Sequence, residues 1–347
     1  MNNEILIDIN NLEVQFSVRG KMLKAIRNIS LDIYKNEIIA IVGESGSGKS
    51  VFTKCLIGML DENGKINNGE ILYDGYNLAE FNNIDFLKIR GKKIACIFQD
   101  PMTSLNPLRK IGSQIAEVIS LHRGLSKKEA KKEAIKLLDK VGIKNAAERY
   151  NDYPFQYSGG MRQRVVIAIA LACNPEILIC DEPTTALDVT IQAQILNLIF
   201  NLKREYGFTV IFITHDLGVV AQIADRVAIM YAGQIIEYGT VEDIFYDSRH
   251  PYTWALLSSL PQLADKNEDL YTLNGTPPNL LEEIKGDAFK NRNPYRMEID
   301  YVKEPPMFKI NDTHYAKTWL LDIRAPKIKK PEIIRKLNSI GDIDDKK

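Results

Sequence analysis

The first hundred residues have the pattern of a β-rich region that leads into a strand–helix step. Residues 5–42 alternate between apolar and polar positions in short segments, which is typical of half-buried strands. The segment EIIAIVG at 37–43 predicts a buried strand, and KSVFTKCLIGML at 49–60 predicts the helix that follows it. GEILYDGYNL at 69–78 predicts part of a hairpin, and KIACIFQD at 93–100 predicts a further strand.

The pattern becomes helical between about 101 and 172. The segment 126–142 is charged and amphipathic, and it predicts a helix with Ser126 as N-cap, Glu129 completing a capping box and Gly142 at the C-terminal end. The later apolar run VVIAIALAC predicts a buried helix. We therefore expect a helical subdomain inserted between the strands.

Strand patterns return after the helical part. Three segments read as strands: 176–183, 208–216 and 226–239. The order strand, helix, strand with a helical insertion predicts an α/β sheet with a separate helical subdomain. After about 245 the chain becomes rich in proline and is expected to form an appendage with little regular structure, with a loosely ordered tail after about 327.

Composition excludes several classes of function. The chain has 347 residues with 45% hydrophobic and 26% charged residues and a net charge of zero, which is typical of a globular protein and argues against bulk nucleic-acid binding. None of the four cysteines forms a CxxC pair, and three of them lie in apolar runs, where cysteine is interpreted as a small buried hydrophobe. The N-terminal sequence MNNEILIDIN lacks the features of a signal peptide, and the apolar run 165–173 is too short to span a bilayer. Any membrane association is expected to go through a partner.

A phosphate-binding loop is the clearest chemical motif. GESGSGKS matches G-x-x-x-x-G-K-[ST] at Gly43, Gly48, Lys49 and Ser50, with a predicted strand before it and a helix after it. Backbone N–H groups and the helix N-terminus would hold the phosphates, Lys49 would reach the β- and γ-phosphates, and Ser50 would ligate Mg²⁺. The alternative is a flexible Gly/Ser turn that happens to contain lysine. The predicted ATP-binding residues of this loop are Gly43, Glu44, Ser45, Gly46, Ser47, Gly48, Lys49, Ser50 and Val51.

Two adjacent carboxylates end a later buried strand. In ILICDEP, Asp181 follows four apolar residues and Glu182 comes directly after it. Neighbouring residues of a strand point to opposite faces, so the two carboxylates can have different roles. Asp181 is predicted to hold the water shell of Mg²⁺, and Glu182 to polarise the attacking water. The alternative is a solvated acidic turn before Pro183.

A second glycine-rich segment, YSGGMRQR at 157–164, also has the features of an anion-binding loop. It combines a hydroxyl, two glycines with accessible backbone N–H groups, and two arginines. A single phosphate loop does not require it, so its presence calls for a second role.

The order of the motifs resembles that of the nucleotide-binding subunits of ABC transporters. The chain shows GESGSGKS, FQD, YSGGMRQR, ILICDEP, TALD at 185–188 and ITHD in the order of that family. The resemblance covers about 1–245 and implies a P-loop ATPase of α/β class. Its parts would be a RecA-like core sheet, an antiparallel β-subdomain and a helical signature subdomain at about 101–172, with a small extension at 246–347.

The resemblance implies a role for each later motif. Gln99 would sense the γ-phosphate and bind Mg²⁺ together with Ser50 and Asp181, and His215 would hold the γ-phosphate and position Glu182. An aromatic residue before the P-loop usually stacks on adenine in this family, and Phe16 is the candidate, with a strand core role as the alternative.

The same resemblance gives the second glycine loop its role. Ser158, Gly159, Gly160 and Met161 would form a signature loop that closes over the ATP held by the opposite subunit, and Asp188 would be the D-loop aspartate at the dimer interface. The family's commonest signature begins Leu-Ser-Gly-Gly-Gln. Tyr157 and Met161 depart from it, while the Ser and both Gly remain, so we expect a working site.

Two further segments resemble the oligopeptide/dipeptide/nickel branch: FQDPMTSLNPLRKIGSQIAEVI at 98–119, and HPYTWALLSSLPQL with GTPPNL in the extension. Many relatives of this branch carry four cysteines that bind an iron–sulfur cluster. The corresponding positions here are Asp287, Asn293, Asp300 and Thr318, which are poor ligands for such a centre. We therefore expect no cluster, as in the oligopeptide systems of low-GC Gram-positive bacteria.

The function implied is that of an ATP-hydrolysing subunit that powers oligopeptide uptake, with ATP and Mg²⁺ as cofactors. The implied partners are a second ATP-binding subunit, two transmembrane permeases and an extracytoplasmic peptide-binding protein, without nucleic acid. A heterodimer is expected, and a homodimer stays open. The protein would be peripheral at the cytoplasmic face of the membrane, held by the permeases. The alternatives are dipeptide or nickel import, a soluble ABC-type ATPase acting on nucleic acid or the ribosome, and a non-hydrolysing regulatory module.

Overall fold

The computed structural model describes residues 4–185, 187–260 and 273–344. Predictions that involve Met1–Asn3, Ala186 of TALD and the PQL at 261–263 lie outside these residues.

The strands are β1 Ile5–Val18, β2 Lys21–Tyr34, β3 Ile38–Val42, β4 Gly64–Tyr73, β5 Tyr76–Asn77, β6 Ile94–Ile97, β7 Ile177–Asp181, β8 Thr209–Thr214, β9 Arg226–Tyr231, β10 Gln234–Thr240, β11 Phe308–Lys309 and β12 Tyr315–Ala316.

The helices begin and end as follows: α1 Lys49–Leu56, α2 Asn83–Ile89, α3 Pro101–Ser104, α4 Ile111–Arg123, α5 Lys127–Lys140, α6 Ala146–Arg149, α7 Gly159–Leu171, α8 Val189–Tyr206, α9 Leu217–Ile223, α10 Val241–Tyr246, α11 Pro251–Ser258, α12 Glu298–Val302 and α13 Glu332–Asp344. Across the described residues, none of these helices has the length and apolar character needed to cross a bilayer.

The chain divides into two compact units. One consists mainly of Phe81–Ile213, with Tyr34–Glu37, and the other of Ile5–Ile33, Ile38–Glu80 and the chain from Thr214 on. The residues after 245 thus share a unit with the P-loop rather than forming a unit of their own. The predicted boundaries at about 101, 172 and 245 stay predictions.

In the unit that contains the P-loop, β3 pairs in parallel with β9, and β9, β10, β12 and β11 continue as antiparallel neighbours. A second sheet has the strand order β2-β1-β4-β5, with β1 and β4 antiparallel. The core under β3 and β9 includes Val42, Ile229, Trp254, Phe289 and Ile334. Burying such side chains stabilises each by about 1.5–3 kcal/mol relative to exposure. The C-terminal residues are therefore part of this core.

The other unit contains the parallel strands β6, β7 and β8 and the helices α2 to α8. β7 pairs with β6 and with β8, and at its end Asp181 lies opposite Ile213. Helix α5 begins at the predicted N-cap Ser126, whose capping box with Glu129 is formed, and Gly142 follows its end with φ of 81°. These local predictions are confirmed.

Three elements differ from the expectations. The β-region opens with two strands of fourteen residues, Ile5–Val18 and Lys21–Tyr34, rather than short ones. In the first of them the irregularity near Glu13 is absorbed as a bulge, so the strand continues past it. Helix α1 ends at Leu56 because Gly58 has φ of 60°. The tail after 327, expected to be loose, contains α13. Its residues Ile334 and Leu337 are 0% and 6% exposed, so core packing holds this helix in place.

Candidate functional site

The P-loop has the backbone that phosphate binding requires. β3 ends at Val42, and a Cβ on Gly43 would lie 2.1 Å from the carbonyl oxygen of Met230, so only glycine fits there. Gly48 has φ of 104°, a conformation that also favours glycine, and α1 begins immediately after it at Lys49. The free N–H groups at the N-terminus of α1 therefore point into the space that the loop encloses.

Lys49 is held inside the loop. Its side chain is buried, and Nζ donates to the carbonyl oxygens of Gly43 at 2.7 Å and Glu44 at 2.9 Å. These two carbonyl contacts fix the ammonium group inside the loop, where its positive charge can attract phosphate.

Glu44 contributes a negative charge to the same loop. Its carboxylate accepts a hydrogen bond from Arg292 Nη1 at 2.9 Å, and its backbone N–H donates to the hydroxyl of Tyr252 at 3.0 Å. Arg292 and Tyr252 belong to the segment after 245. The nucleotide loop and this segment are therefore in direct contact.

Two further predicted residues lie in the unit of the P-loop. His215 follows β8 directly and is exposed, as a residue that contacts a ligand should be. Phe16 lies on β1 opposite Gly64, and its ring is 8% exposed because it covers that glycine. This burial favours the strand core role of Phe16, and adenine stacking stays a prediction that requires the ring to be uncovered.

The carboxylates occupy the end of β7 in the other unit. Asp181 is the last residue of β7, and Glu182 has φ of 46°, in the left-handed region that few non-glycine residues adopt. Its carboxylate accepts hydrogen bonds from Gln99 Nε2 at 3.0 Å and from the Thr185 hydroxyl at 2.9 Å. The strained backbone and the two donors together fix the direction of this carboxylate.

The signature segment begins a helix rather than a free loop. Ser158 is the N-cap of α7, its hydroxyl accepts the N–H of Met161 at 3.3 Å, and Gly159 and Gly160 form the first turn. Ser158 and Gly159 are exposed. The helix N-terminus supplies the anion-binding character predicted for this segment.

The two departures from the commonest signature are accommodated locally. Tyr157 is 2% exposed, and its hydroxyl donates to the carbonyl of Arg149 at 3.0 Å. Met161 keeps the backbone contact to Ser158. Asp188 caps α8 by accepting the N–H of Ile191 at 3.0 Å, and it is exposed at the start of that helix.

Sequence reasoning missed four residues around these sites. Thr185 holds Glu182, and Gln163 is fully buried with its Nε2 donating to the carbonyl of Pro183 at 2.7 Å, which joins the signature helix to the segment after Glu182. Arg292 and Tyr252 hold Glu44. A carboxylate inside a phosphate loop indicates that a basic side chain lies near it to balance its charge. The sequence does not indicate which basic residue this is.

The four positions that carry cysteine in many relatives are buried. Asp287, Asn293, Asp300 and Thr318 each accept a backbone N–H from a residue two or three positions away. Burial raises the pKa of Asp287 to about 6, and burial also raises the pKa of Asp300. These side chains act as caps of local turns. The absence of an iron–sulfur cluster stays a prediction from their chemistry.

Comparison with protein families supports the motif analysis. The family described as ABC transporter matches residues 26–185, and the family described as oligopeptide/dipeptide transporter, C-terminal region, matches residues 236–299. The chain is 61% identical to the oligopeptide transport ATP-binding protein AmiE of Streptococcus pneumoniae, over 96% of this chain and 94% of the relative. It is 55% identical to the dipeptide transport ATP-binding protein DppD of Lactococcus lactis (94% of each chain) and 53% identical to the oligopeptide transport ATP-binding protein OppD of Bacillus subtilis (95% and 93%).

Solved structures support the predicted fold. A dimeric post-hydrolysis state of the ATP-binding cassette MJ0796 with ADP and Pi matches with a TM-score of 0.61 and 30% identity, over 68% of this chain and 98% of that one. The cbiO1 protein of Clostridium perfringens matches with a TM-score of 0.61 and 27% identity, over 70% and 92%. The predicted fold class, an ABC-type P-loop ATPase with an antiparallel β-sheet, is confirmed.

Proposed function

The chain belongs to the ATP-binding subunits of ABC transporters, in their oligopeptide/dipeptide branch, and on that premise we propose that it hydrolyses ATP to power oligopeptide uptake. The observation that carries the proposal is the arrangement of Glu182, whose carboxylate is aimed by Gln99 and Thr185 directly after a buried strand. A carboxylate held in this way is suited to orient and deprotonate an attacking water.

In this proposal the P-loop and the carboxylate pair have different roles. Lys49 and the N–H groups of the loop bind the phosphates, while Glu182 acts on the water. His215 positions the γ-phosphate from the end of β8, and Ser158 and Gly159 act on the nucleotide of the opposite subunit. An exposed helix N-terminus with a serine cap and two glycines has the donors that this contact requires.

Mg²⁺ fits the donor set of these residues. Ser50, Gln99 and Asp181 offer a hydroxyl, an amide and a carboxylate oxygen, the hard donors that Mg²⁺ prefers. Gln99 donates its amide nitrogen to Glu182, so its amide oxygen remains to act as a ligand. The bound ion would neutralise charge that develops on the phosphates.

Uptake of oligopeptides is favoured over uptake of dipeptides by the relative of highest identity among those compared, the oligopeptide protein AmiE. The DppD protein of Lactococcus lactis, at 55% identity, keeps dipeptides as the second candidate. The partners proposed are a second ATP-binding subunit, two permeases and a peptide-binding protein, with this chain at the cytoplasmic face. Uptake of labelled di- and pentapeptides by cells with and without the gene would separate the two candidates.

The ATPase assignment is tested by Glu182→Gln, with Lys49→Ala as the matched comparison. Glu182→Gln should keep ATP binding and reduce turnover by at least about 10²-fold, as expected for loss of a general base. Lys49→Ala should weaken ATP binding itself, because it removes the buried ammonium group of the loop. The measurements are phosphate release and binding of a fluorescent ATP analogue. A wild-type rate of hydrolysis in Glu182→Gln would exclude Glu182 as the base.

A further inference from the structure

The contact between Glu44 and the C-terminal segment raises a question of charge. A P-loop attracts a nucleotide that carries several negative charges, yet Glu44 places a carboxylate in that loop. Uncompensated, this carboxylate would repel the phosphates and oppose the field of Lys49 and the α1 N-terminus. The charge of Glu44 must therefore be neutralised nearby for the loop to bind ATP well.

Arg292 supplies the compensating charge. The side chain of Arg292 is 6% exposed and that of Glu44 is 29% exposed, and Nη1 of Arg292 lies 2.9 Å from Oε2 of Glu44. Such a pair is screened by water much less than a surface ion pair, so its effect on the local potential is larger. The two residues are 248 positions apart, and only the fold brings them together.

Arg292 is itself fixed in position. Its Nη1 also donates to the Tyr231 hydroxyl at 3.4 Å, its Nε donates to the carbonyl of Asn274 at 3.3 Å, and its guanidinium lies over the Tyr231 ring at 5.7 Å. Phe289 packs edge-on against Tyr231 at 5.3 Å. Since these contacts hold the guanidinium in one place, Glu44 is drawn to a defined position as well.

Tyr252 holds the main chain of Glu44 in place. Its hydroxyl accepts the Glu44 N–H at 3.0 Å, and its ring packs against Tyr231 at 4.7 Å and Phe289 at 5.5 Å. Lys49 holds the Glu44 carbonyl at 2.9 Å. Glu44 is thus held at its N–H, its carbonyl and its carboxylate, and two of these three contacts come from the segment after 245.

We propose that Arg292 and Tyr252 are positioning residues of the nucleotide site: Arg292 neutralises Glu44 and turns its carboxylate away from the phosphates, and Tyr252 sets the backbone of the loop. The proposal rests on the function proposed above. On this proposal, the segment after 245 contributes directly to ATP binding in this subunit.

The test measures the dissociation constant of a fluorescent ATP analogue with the full chain. Arg292→Ala leaves the Glu44 charge uncompensated and should weaken binding about tenfold, and Arg292→Lys should recover part of the loss. The decisive variant is Glu44→Gln with Arg292→Ala, which removes the repelling charge and should bind ATP more tightly than Arg292→Ala alone. The loss in Arg292→Ala should also shrink at high salt, because screening weakens repulsion.

Controls separate this role from a general effect on folding. Arg324→Ala removes an exposed arginine that pairs with Asp322 in the same segment, and it should leave ATP binding unchanged. Tyr252→Phe keeps the ring, removes the acceptor for the Glu44 N–H and should raise the KM for ATP more than it lowers kcat. Thermal melting of each variant identifies those that fail to fold.

Three results would overturn the proposal: ATP binding by a folded Arg292→Ala within twofold of wild type, no recovery in the double variant, or a loss that is independent of salt. Failure of the wild-type chain to bind the analogue would instead contradict the proposed function, so the two failures are distinguishable.

Discussion

At the scale of single residues, the carboxylates differ by what surrounds them. Glu182 is partly exposed and accepts hydrogen bonds from Gln99 and Thr185, Glu44 is paired with a buried arginine, and Asp287 is buried. Within the described residues, Oδ2 of Asp287 has no hydrogen-bond partner, while Oδ1 accepts the Phe289 N–H at 2.8 Å. The same functional group therefore caps a turn in Asp287, and is proposed to act in catalysis in Glu182 and in the charge balance of the P-loop in Glu44.

Asp287 should make the free energy of unfolding depend on pH. Its folded pKa, about 6, lies above the ordinary value of 3.8, so the protonated form favours the folded state. This contribution is fully present below about pH 4 and is lost as pH rises through about 6, which amounts to roughly 2–3 kcal/mol at 1.36 kcal/mol per pH unit.

We expect Asp287→Asn to unfold at higher denaturant concentration than wild type at pH 7.5 and to show little difference at pH 4. Denaturant unfolding at the two pH values measures this. The control is Asp322→Asn, which should bring no gain at pH 7.5 because the Asp322 carboxylate is paired with exposed Arg324. An equal effect of Asp287→Asn at both pH values would contradict the assignment.

At the scale of elements, the packing of α7 against α8 gives the two signature glycines different duties. A Cβ on Gly160 would lie 2.6 Å from Cγ2 of Ile191, whereas a Cβ on Gly159 would meet only Cδ2 of Leu187 at 3.6 Å, an ordinary contact. Gly160 is therefore required for the close approach of the helices, and Gly159 is not required within this subunit. Packing inside the subunit thus gives no reason for glycine at position 159, whereas the proposed contact with the nucleotide of the partner subunit does.

Substitution separates these duties. Gly160→Ala should lower the free energy of unfolding by about 1–3 kcal/mol through overpacking against Ile191. Gly159→Leu should change stability little and keep ATP binding at this chain's own P-loop, yet it should abolish most hydrolysis at the partner's site. Denaturant unfolding, ATP binding and phosphate release in the assembled dimer measure the three quantities. Loss of ATP affinity in an isolated, folded Gly159→Leu monomer would contradict action on the partner.

At the scale of the whole molecule, the predicted site residues are shared between the two compact units. The P-loop, His215 and the segment with Arg292 belong to one unit, and Gln99, Glu182 and the signature segment belong to the other. Ser158 and Gly159 are exposed, so on the proposed function they would be free to act on a nucleotide held by a second ATP-binding subunit.

A dimer that depends on ATP is the expected consequence. Glu182→Gln should form a stable dimer with the second ATP-binding subunit in the presence of Mg²⁺ and ATP, because hydrolysis no longer releases it. Glu182→Gln combined with Lys49→Ala should remain monomeric, since ATP no longer bridges the subunits. Light scattering with and without ATP measures the mass. A chain that binds ATP and stays monomeric, alone and with that subunit, would contradict the model of shared sites.

Much of the fold could be predicted because its signals are local. The P-loop, the strand that ends at Asp181 and the capped helix that starts after Ser126 each depend on residues close in sequence, and each lies where predicted. Helix α13 was not predicted, because its order depends on burying Ile334 and Leu337 in a distant core. The ring of Phe16 could not be assigned for a related reason: the residue it covers, Gly64, is on another strand.

The sequence by itself determined the chemistry of this protein: a phosphate loop, a pair of strand-end carboxylates and a signature segment in the order of one family. Tertiary structure alone decided which side chains support them. Gln99 reaches Glu182 across 83 positions, and Arg292 reaches Glu44 across 248. A motif consists of residues that are close in sequence, so it can be recognised without the fold. The partner of a buried charge depends on which groups are close in the folded chain and shielded from water, and no local sequence pattern contains that information.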